Sequence, residues 1–244
     1  MKKINIGLLI REFENLSDTE FRIYKKLLDS KYVKIEVLLK DGRKKIKKNF
    51  IRFFNFDFFS KIFFIIINKI DLFFFDKKFL EFKDKDRVIS KLKSIDHVYL
   101  YPTKKKYSDW FDSNEISRLN KYNLDIILRN EFDIIKGEIL NFPKFGIWSF
   151  HHGDNDFYRG GPAGFWEVLN NENTTGVTLQ ILNNNLDGGD IIDKCHFPTQ
   201  QTYIRNNLFI LEKSTTILLK NIKLLYYNSK INSYPSKSSD YKIY

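Results

Sequence analysis

Compact apolar runs alternate with segments of helical periodicity along most of the chain. Ile4 to Ile10 is a short, continuous apolar run, Ser17-Asp18 has the composition of a helix start, and Val33 to Leu39 is a second apolar run. Central strands of a parallel sheet are apolar along their whole length because both of their faces are covered. The order strand, helix, strand therefore predicts an α/β fold with a Rossmann-like, mostly parallel sheet and flanking helices.

The same alternation continues to the end of the chain. It predicts a short helix at Phe165 to Leu169, a long closing helix at Tyr203 to Tyr227, and further strands at Val98 to Tyr101, Leu124 to Leu128, Gly146 to Phe150, Gly176 to Leu182 and Asp190 to Phe197. We expect a single catalytic domain over residues 1–227. The Ser-, Lys- and Tyr-rich residues 228–244 are expected to form a poorly ordered tail.

An unusual insertion at about residues 46–82 interrupts this pattern. Its segment from Phe50 to Phe82 holds over half of the chain's 24 phenylalanines. Charged residues, among them Lys61 and Asp71, divide the segment, so it lacks the ~18 uncharged apolar residues of a membrane span. The composition favours one or two amphipathic helices packed on the sheet. The alternative is an exposed apolar surface for a homodimer or for peripheral membrane contact.

Charge and cysteine content limit the kinds of binding partner and the cellular compartment that the sequence predicts. The net charge of +11 predicts attraction to anionic groups such as phosphates, nucleotides or membrane surfaces, without choosing among them. The single cysteine, Cys195, excludes an internal disulfide and a cysteine-rich zinc site, and it fits a reducing cytoplasm. The first apolar run is too short for a signal peptide. We expect a cytoplasmic protein without a bound metal.

Candidate chemistry concentrates in one glycine-rich interval. Nine of the eleven glycines lie between Gly137 and Gly189, where they permit tight turns close to a ligand. Two histidines, His151 and His152, directly follow a predicted strand, and Asp187 lies on a turn between two others. An imidazole and a carboxylate at one sheet edge suit acyl transfer, because they can move a proton and polarise a carbonyl. Alternatively, the histidines cap a strand end and Asp187 makes a turn.

Four short motifs in register resemble one known family. In chain order they are Ser149-Phe150-His151, Tyr158-Arg159-Gly160, Thr175-Gly176-Val177-Thr178 and Leu186-Asp187-Gly188-Gly189-Asp190. Together they resemble the catalytic domain of the folate-dependent formyltransferases, which include methionyl-tRNA formyltransferase, glycinamide ribonucleotide formyltransferase and the sugar N-formyltransferases. The eight-residue spacing from His151 to Arg159 also agrees with this family.

The resemblance implies a role for each catalytic position. His151 would stabilise the oxygen of the formyl group, and Asp187 would assist deprotonation of the amine and hold His151 in place. The family's asparagine, which donates a hydrogen bond to the developing oxyanion, is replaced by Ser149. A hydroxyl also donates, but it is shorter, so either the substrate lies closer or another donor serves.

Further positions are expected to bind the two substrates. His152, Asp154 and Asn155 replace an apolar family loop and are candidates for binding a sugar hydroxyl or the amine, and Arg159 with Gly160 is a candidate for a phosphate. The resemblance places the pterin of 10-formyltetrahydrofolate near Gly188 and near the loop Arg129-Asn130-Glu131-Phe132. The purely structural reading is that these residues only stabilise loops.

The expected reaction is formyl transfer from 10-formyltetrahydrofolate to a primary amine. An amino sugar on a nucleotide or lipid, used for surface polysaccharide, is the favoured acceptor. A nucleic-acid acceptor is disfavoured, because only about fifty helical-looking residues follow Ile192, where a tRNA enzyme has a β-domain. Purine-pathway formylation and hydrolysis of formyl-folate stay open. An alternative in which the protein is not an enzyme is a non-catalytic module that binds nucleotide sugars or folate.

Overall fold

The computed structural model describes residues 2–43, 65–66, 69–70, 82–130, 132–159, 161–184, 188–236 and 242–243. Most of the insertion at residues 46–82 lies outside these ranges. Its predicted helices, and the predicted dimer and membrane surface, therefore remain predictions. Where the insertion ends, Phe82 stacks on Phe21 with ring centroids 6.0 Å apart, and its N–H donates to the Asp18 carboxylate over 2.8 Å.

Strands and helices alternate through the described residues. The strands are β1 Ile4–Leu9, β2 Val33–Asp41, β3 Asp96–Leu100, β4 Thr103–Lys105, β5 Ser108–Phe111, β6 Ile126–Arg129, β7 Ile134–Gly137, β8 Ile147–His151, β9 Tyr158–Arg159, β10 Thr174–Ile181, β11 Asp190–Pro198 and β12 Lys242–Ile243. The α-helices are α1 Asp18–Leu28, α2 Lys85–Lys93, α3 Ser113–Ser117, α4 Phe165–Leu169 and α5 Tyr203–Asn228.

A seven-stranded sheet in the order β11-β10-β8-β6-β1-β2-β3 forms the centre of the molecule. In this sheet β3, β2, β1, β6 and β8 are parallel to one another, whereas β10 runs antiparallel to both β8 and β11. The predicted α/β fold class is confirmed. After β1 the chain forms β2 on one side and later β6 on the other, so the carboxyl ends of β1 and β6 flank a topological switch point, where α/β folds bind ligands.

Burial on both faces explains why the central strands read as apolar runs. All six residues of β1 are buried. Successive side chains point to opposite faces of the sheet, so Leu8 belongs to the core cluster that contains Tyr24 and Trp148, and Leu9 to the cluster that contains Phe111. Helices α1 and α5 cover the first face.

The start of α1 follows directly from local sequence. The Ser17 hydroxyl accepts a hydrogen bond from the Glu20 N–H, and the Glu20 carboxylate accepts one from the Ser17 N–H. This capping box satisfies two backbone donors that would otherwise lack partners. The predicted helix start at Ser17-Asp18 is therefore confirmed.

A small second sheet was not predicted from the sequence. Strands β4, β5 and β7 form it beyond β3, in a region where the sequence allowed helices between the strands. Gly137, at the end of β7, has a φ of 94° and comes so close to β5 that a Cβ there would lie 2.2 Å from the Phe111 carbonyl oxygen. Only glycine permits this approach without strain.

The residues after α5 contact the body of the protein at two places. Tyr234 and Ile191 exchange backbone hydrogen bonds of 2.7 and 3.0 Å, and β12 pairs with β9. These pairings hold parts of the segment that we expected to be poorly ordered. The division into a domain and a tail remains a prediction.

Candidate functional site

A cavity of about 720 Å³ opens at the carboxyl edge of the parallel strands, between the sheet and helices α1 and α5. It collects five of the residues predicted to form the site, which are Arg129, Asn130, Phe132, Ser149 and His152. They come from the ends of β6 and β8, two neighbouring strands. The structure therefore brings together the predicted pterin loop and part of the predicted catalytic motif.

Arg129 links these two strands. Its Nη1 donates to the Ser149 hydroxyl oxygen over 3.2 Å, and its Nη2 donates to the carbonyl oxygens of Phe132 and Asp133 over 3.1 and 3.2 Å. The guanidinium is thereby fixed by the loop that follows β6. A positive charge consequently lies directly beside the serine that replaces the family's asparagine.

Charged residues that were not predicted from the sequence line another part of the same cavity. Arg43 donates to Asp41 and to Asp109, each over 2.6 Å, and hydrogen bonding to Asp41 is the largest influence raising the pKa of Arg43. Asp109 is fully buried and also accepts a bond from the Asp133 N–H. Asp41 is the last residue of β2, and Arg43 follows two positions later. Both therefore lie at the carboxyl end of a strand, and this place in the sequence was the signal that could have marked them as site candidates.

His151 lies between two residues that line the cavity, Phe150 and His152, but it does not line the cavity itself. The side chain is 9% exposed, and its Nε2 lies 2.7 Å from the Tyr158 carbonyl oxygen. Because a carbonyl only accepts, Nε2 carries a proton, and Nδ1 is the ring atom left for a substrate. His151 follows Ser149 by two positions in β8, so both side chains point to one face of the sheet.

His152 points into the cavity. Its ring stacks on Phe150 with a centroid distance of 5.7 Å. Burial, and then the charge of His151, lower the pKa of His152 from 6.5 to about 4. The ring is therefore neutral at pH 7, where it can donate one hydrogen bond and accept another.

Asp154 belongs to a separate cluster of ion pairs whose members do not line the cavity. It accepts hydrogen bonds from Lys194 at 2.7 Å and from His196 at 2.6 Å, and Lys194 also contacts Asp156 at 2.7 Å. Asp154 is 7% exposed, and the neighbouring Asn155 is fully buried. The structure thus places Asp154 in an ion-paired cluster and Asn155 in a fully buried position.

Several predicted site residues cannot be placed. Asp187, Glu131 and Gly160 lie outside the described residues, as does the side chain of Arg159. Gly188 is described, and its carbonyl oxygen accepts a bond of 2.7 Å from Asn183. The predicted proximity of His151 and Asp187 therefore remains a prediction.

Comparison with known proteins supports one family, although no protein-family model matches the chain. A segment of 84 residues is 34% identical to the methionyl-tRNA formyltransferase of Agathobacter rectalis, covering 34% of this chain and 27% of that protein. The chain therefore matches only about a quarter of that relative's length.

Two solved structures share the fold. The glycinamide ribonucleotide transformylase 1 of Symbiobacterium toebii superimposes with a TM-score of 0.59 at 14% identity, over 93% of this chain and 89% of that one. An N-formyltransferase of Helicobacter canadensis, solved in complex with folinic acid and dTDP-3-aminofucose, gives a TM-score of 0.53 at 16% identity, over 100% of this chain and 71% of that one. At these identities the likeness concerns the fold alone. The aligned segment and the ordered motifs make this chain similar to formyltransferases, and it shares their fold.

Proposed function

We propose that this chain transfers a formyl group from 10-formyltetrahydrofolate to the primary amine of an amino sugar. The observation that carries this proposal is the joint position of Ser149, His152 and Arg129 at one cavity, with His151 between two of the residues that line it. Ser149 belongs to a family motif, His152 directly follows that motif, and Arg129 lies in the loop that the resemblance assigns to the pterin. The cavity lies at the sheet edge where α/β proteins bind ligands.

The cavity has the dimensions and chemistry for a folate. Its volume of about 720 Å³ is within the ~300–1,000 Å³ usual for small-molecule pockets. Phe132 offers an aromatic face, and the polar groups of Asn130 and Asp133 offer partners for the donors and acceptors of a pterin ring. The folate supplies an activated formyl group, and the loop from Arg129 to Asp133 would hold it. Folinic acid in the H. canadensis relative supports this assignment.

The reaction balances without a further reactant. The lone pair of the acceptor nitrogen forms a bond to the formyl carbon, and the carbonyl π electrons move onto oxygen. As the carbonyl re-forms, the bond from carbon to the donor nitrogen breaks. The proton lost by the acceptor amine is matched by the one gained by the donor nitrogen, giving an N-formyl amine and tetrahydrofolate.

The chain's own residues would lower the barrier in two ways. Donors beside the formyl oxygen stabilise the charge that develops there. His151 can provide such a donor at Nδ1 when its ring is doubly protonated, because Nε2 is held by the Tyr158 carbonyl. Asp187 is the proposed group that receives the proton of the amine.

An amino sugar linked to a nucleotide is the acceptor we favour. The chain carries a net charge of +11, which favours phosphate-bearing substrates. The H. canadensis relative contains an amino sugar nucleotide in its complex. Among the helices formed by the described residues, none combines the length and the apolar composition that a membrane crossing requires.

The test incubates the protein with 10-formyltetrahydrofolate and a panel of amines that includes amino sugar nucleotides, glycinamide ribonucleotide and methionyl-tRNA. Appearance of tetrahydrofolate and of an N-formyl product only when an amino sugar is present supports the proposal. Tetrahydrofolate formed at the same rate without any amine would instead show hydrolysis. Folate binding without turnover on the whole panel would show a binding module and contradict the proposal.

A further inference from the structure

A groove larger than the candidate site lies between helices α1 and α5. Its volume is about 1210 Å³, above the ~300–1,000 Å³ usual for small-molecule pockets. Among the described residues, Thr19 alone lines both this groove and the cavity at the sheet edge. None of the described residues of the four sequence motifs lines the groove. It is therefore a separate candidate binding site.

Much of the groove surface is apolar. Helix α5 contributes Leu208, Phe209, Leu219, Leu224 and Tyr227 to it. Leu224 and Tyr227 are 47% and 52% exposed, whereas the other three are partly buried. Single exposed apolar side chains are common, but a contiguous apolar surface typically marks an interaction site. The groove therefore favours a ligand with an extended apolar part.

Positive charge lines the same groove. Lys26 of α1 and Lys223 of α5 are exposed, and neither forms an ion pair within the part of the chain that the structure describes. The other four cationic side chains of the groove already interact with other groups, and they are Arg22, Lys25, Arg205 and Lys220. The positive charge that is left for a ligand is therefore concentrated at two lysines.

Both lysines lie at the same end of the groove. Helices α1 and α5 meet at Tyr32, whose ring centroid lies 5.1 Å from that of Tyr226 and 5.8 Å from that of Tyr227. Lys26 precedes Tyr32 by six positions, and Lys223 precedes Tyr227 by four. At a rise of 1.5 Å per residue, each lysine lies within roughly 10 Å of this junction along its helix. They therefore flank one end of the groove from its two sides.

The acidic residues of the groove do not neutralise these lysines. Asp29 forms an ion pair with Lys91 over 3.1 Å. Glu212 precedes Lys223 by eleven positions on α5, which corresponds to roughly 16 Å along the helix. Salt screens most of the attraction between exposed charges at such a separation. An anionic group can therefore bind between Lys26 and Lys223.

Charge also argues against an occupant from this protein itself. A second copy of the chain carries the same net charge of +11. Residues 44–81 directly precede Phe82, which lines the groove, and they contain nine Lys and Arg against four Asp and Glu. Like charges repel one another, so a basic segment is a poor match for a basic groove. The ligand is therefore expected to be a separate, anionic molecule.

We propose that this groove binds a single lipid that carries a phosphate group, with the phosphate between Lys26 and Lys223 and the hydrocarbon chain along the apolar side chains of α5. A lipid has its charge at one end and a long apolar chain, and the groove has the same distribution. An acidic amphipathic helix has anionic side chains along its whole length, so it would need free cations along the whole groove. The inference is independent of the proposed function.

Isothermal titration calorimetry of the full chain with dodecyl phosphate, below the concentration at which it forms micelles, tests the proposal. The comparison ligands are inorganic phosphate, which lacks the chain, and dodecyl maltoside, which lacks the charge. We expect dodecyl phosphate to bind at least about tenfold more tightly than either, because both burial of the chain and charge-assisted hydrogen bonds contribute. Equal affinity for inorganic phosphate or for dodecyl maltoside would overturn the inference.

Paired charge reversals test the position of the phosphate. Lys26→Glu combined with Lys223→Glu should weaken dodecyl phosphate binding by at least about tenfold and leave dodecyl maltoside binding unchanged. The matched control, Lys93→Glu combined with Lys144→Glu, changes the net charge equally at two exposed residues outside the groove, so it should bind like wild type. Circular dichroism verifies that both variants fold. Wild-type affinity in the groove variant, or an equal loss in the control, would contradict the proposed position.

Other occupants would give different results. Binding of an acidic amphipathic peptide without binding of dodecyl phosphate would assign the groove to a protein partner, and binding only to phosphatidic acid vesicles would assign it to a bilayer surface. A wild-type dimer in sedimentation that dissociates in Leu224→Arg would assign it to a second copy. Each of these outcomes overturns the inference and leaves the proposed function standing, because Lys26, Lys223 and Leu224 do not line the cavity.

Discussion

Two clusters of polar residues flank His151, and they differ in how completely they are paired. On one side, Asp154, Lys194 and His196 satisfy one another through short hydrogen bonds. On the other side, Arg129 and Ser149 line a cavity, and the side-chain oxygen of Gln180, which lies opposite Ser149 on β10, has no hydrogen-bond partner among the described residues.

The difference indicates which cluster stabilises the fold and which serves a ligand. A set of buried charges that is paired internally gains nothing from a ligand, whereas removing one member leaves another charge uncompensated. A buried polar atom without a partner costs stability unless something binds to it. We therefore expect substitutions in the first cluster to lower the free energy of unfolding, and substitutions in the second to lower catalytic rates.

The largest expected effect is that of His151→Ala on activity. Loss of a proton-transferring or polarising imidazole typically lowers a rate by about 10²–10⁴-fold, and we expect kcat/KM for formyl transfer to fall within that range. The matched control is His196→Ala, which removes an imidazole from the paired cluster. If both variants retained the wild-type kcat/KM, His151 would have no catalytic role.

Asp154→Asn should have the largest effect on stability. Removing one partner of a buried pair costs about 3–5 kcal/mol, and we expect about 3 kcal/mol because Asp156 still contacts Lys194. Urea unfolding monitored by circular dichroism measures the change. An unchanged free energy of unfolding combined with a raised KM for the amine would instead support the predicted role of Asp154 in substrate binding.

The effect of Asp154 should also depend on pH. Burial raises the pKa of Asp154, but hydrogen bonds from Lys194, from the Asp156 N–H and from His196 outweigh it and hold the pKa below 3.8. The contribution of a carboxylate with a lowered pKa is fully present above its unfolded value and is lost as the pH falls through the folded one. The stability difference between wild type and Asp154→Asn should therefore shrink below pH 3.8.

His152 should make the stability of the protein sensitive to mild acid. Its pKa falls from 6.5 to about 4 in the folded protein, so the unfolded chain binds its proton first. The contribution of neutral His152 to the free energy of unfolding is therefore fully present above pH 6.5. It is lost as the pH falls from 6.5 to 4, and the loss is about 1–3 kcal/mol. Melting temperatures of wild type and His152→Gln between pH 7.5 and 4.5 test this. Parallel curves for the two proteins would show that His152 titrates normally.

The smallest effect is expected for His196→Gln. The side chain of His196 is 46% exposed, and Asp154 keeps its bonds to Lys194 and to the Asp156 N–H when the imidazole is removed. Exposed pairs contribute about 0–1 kcal/mol, so the free energy of unfolding should change by less than about 1 kcal/mol. A loss as large as that of Asp154→Asn would show that the cluster acts as one unit.

Local sequence determined the central strands and the first helix of this fold, and it predicted where along the chain the candidate site lies. The apolar runs predicted β1, β2 and β8 because these strands are largely buried, and Ser17-Asp18 predicted the start of α1 because a helix start depends on contacts within a few residues. The two histidines after a strand predicted the edge at which the cavity lies, because the carboxyl ends of parallel strands meet there.

Tertiary structure alone decided which polar residues meet. Lys194 and His196 pair with Asp154 from about forty positions away, and Asp109 reaches Arg43 across 66. Periodicity reports which face of a strand is buried, but strand order and register decide which residue lies opposite. Gln180 becomes a neighbour of Ser149 only when β10 pairs with β8 in this register, because a slip of one residue would turn its side chain to the other face.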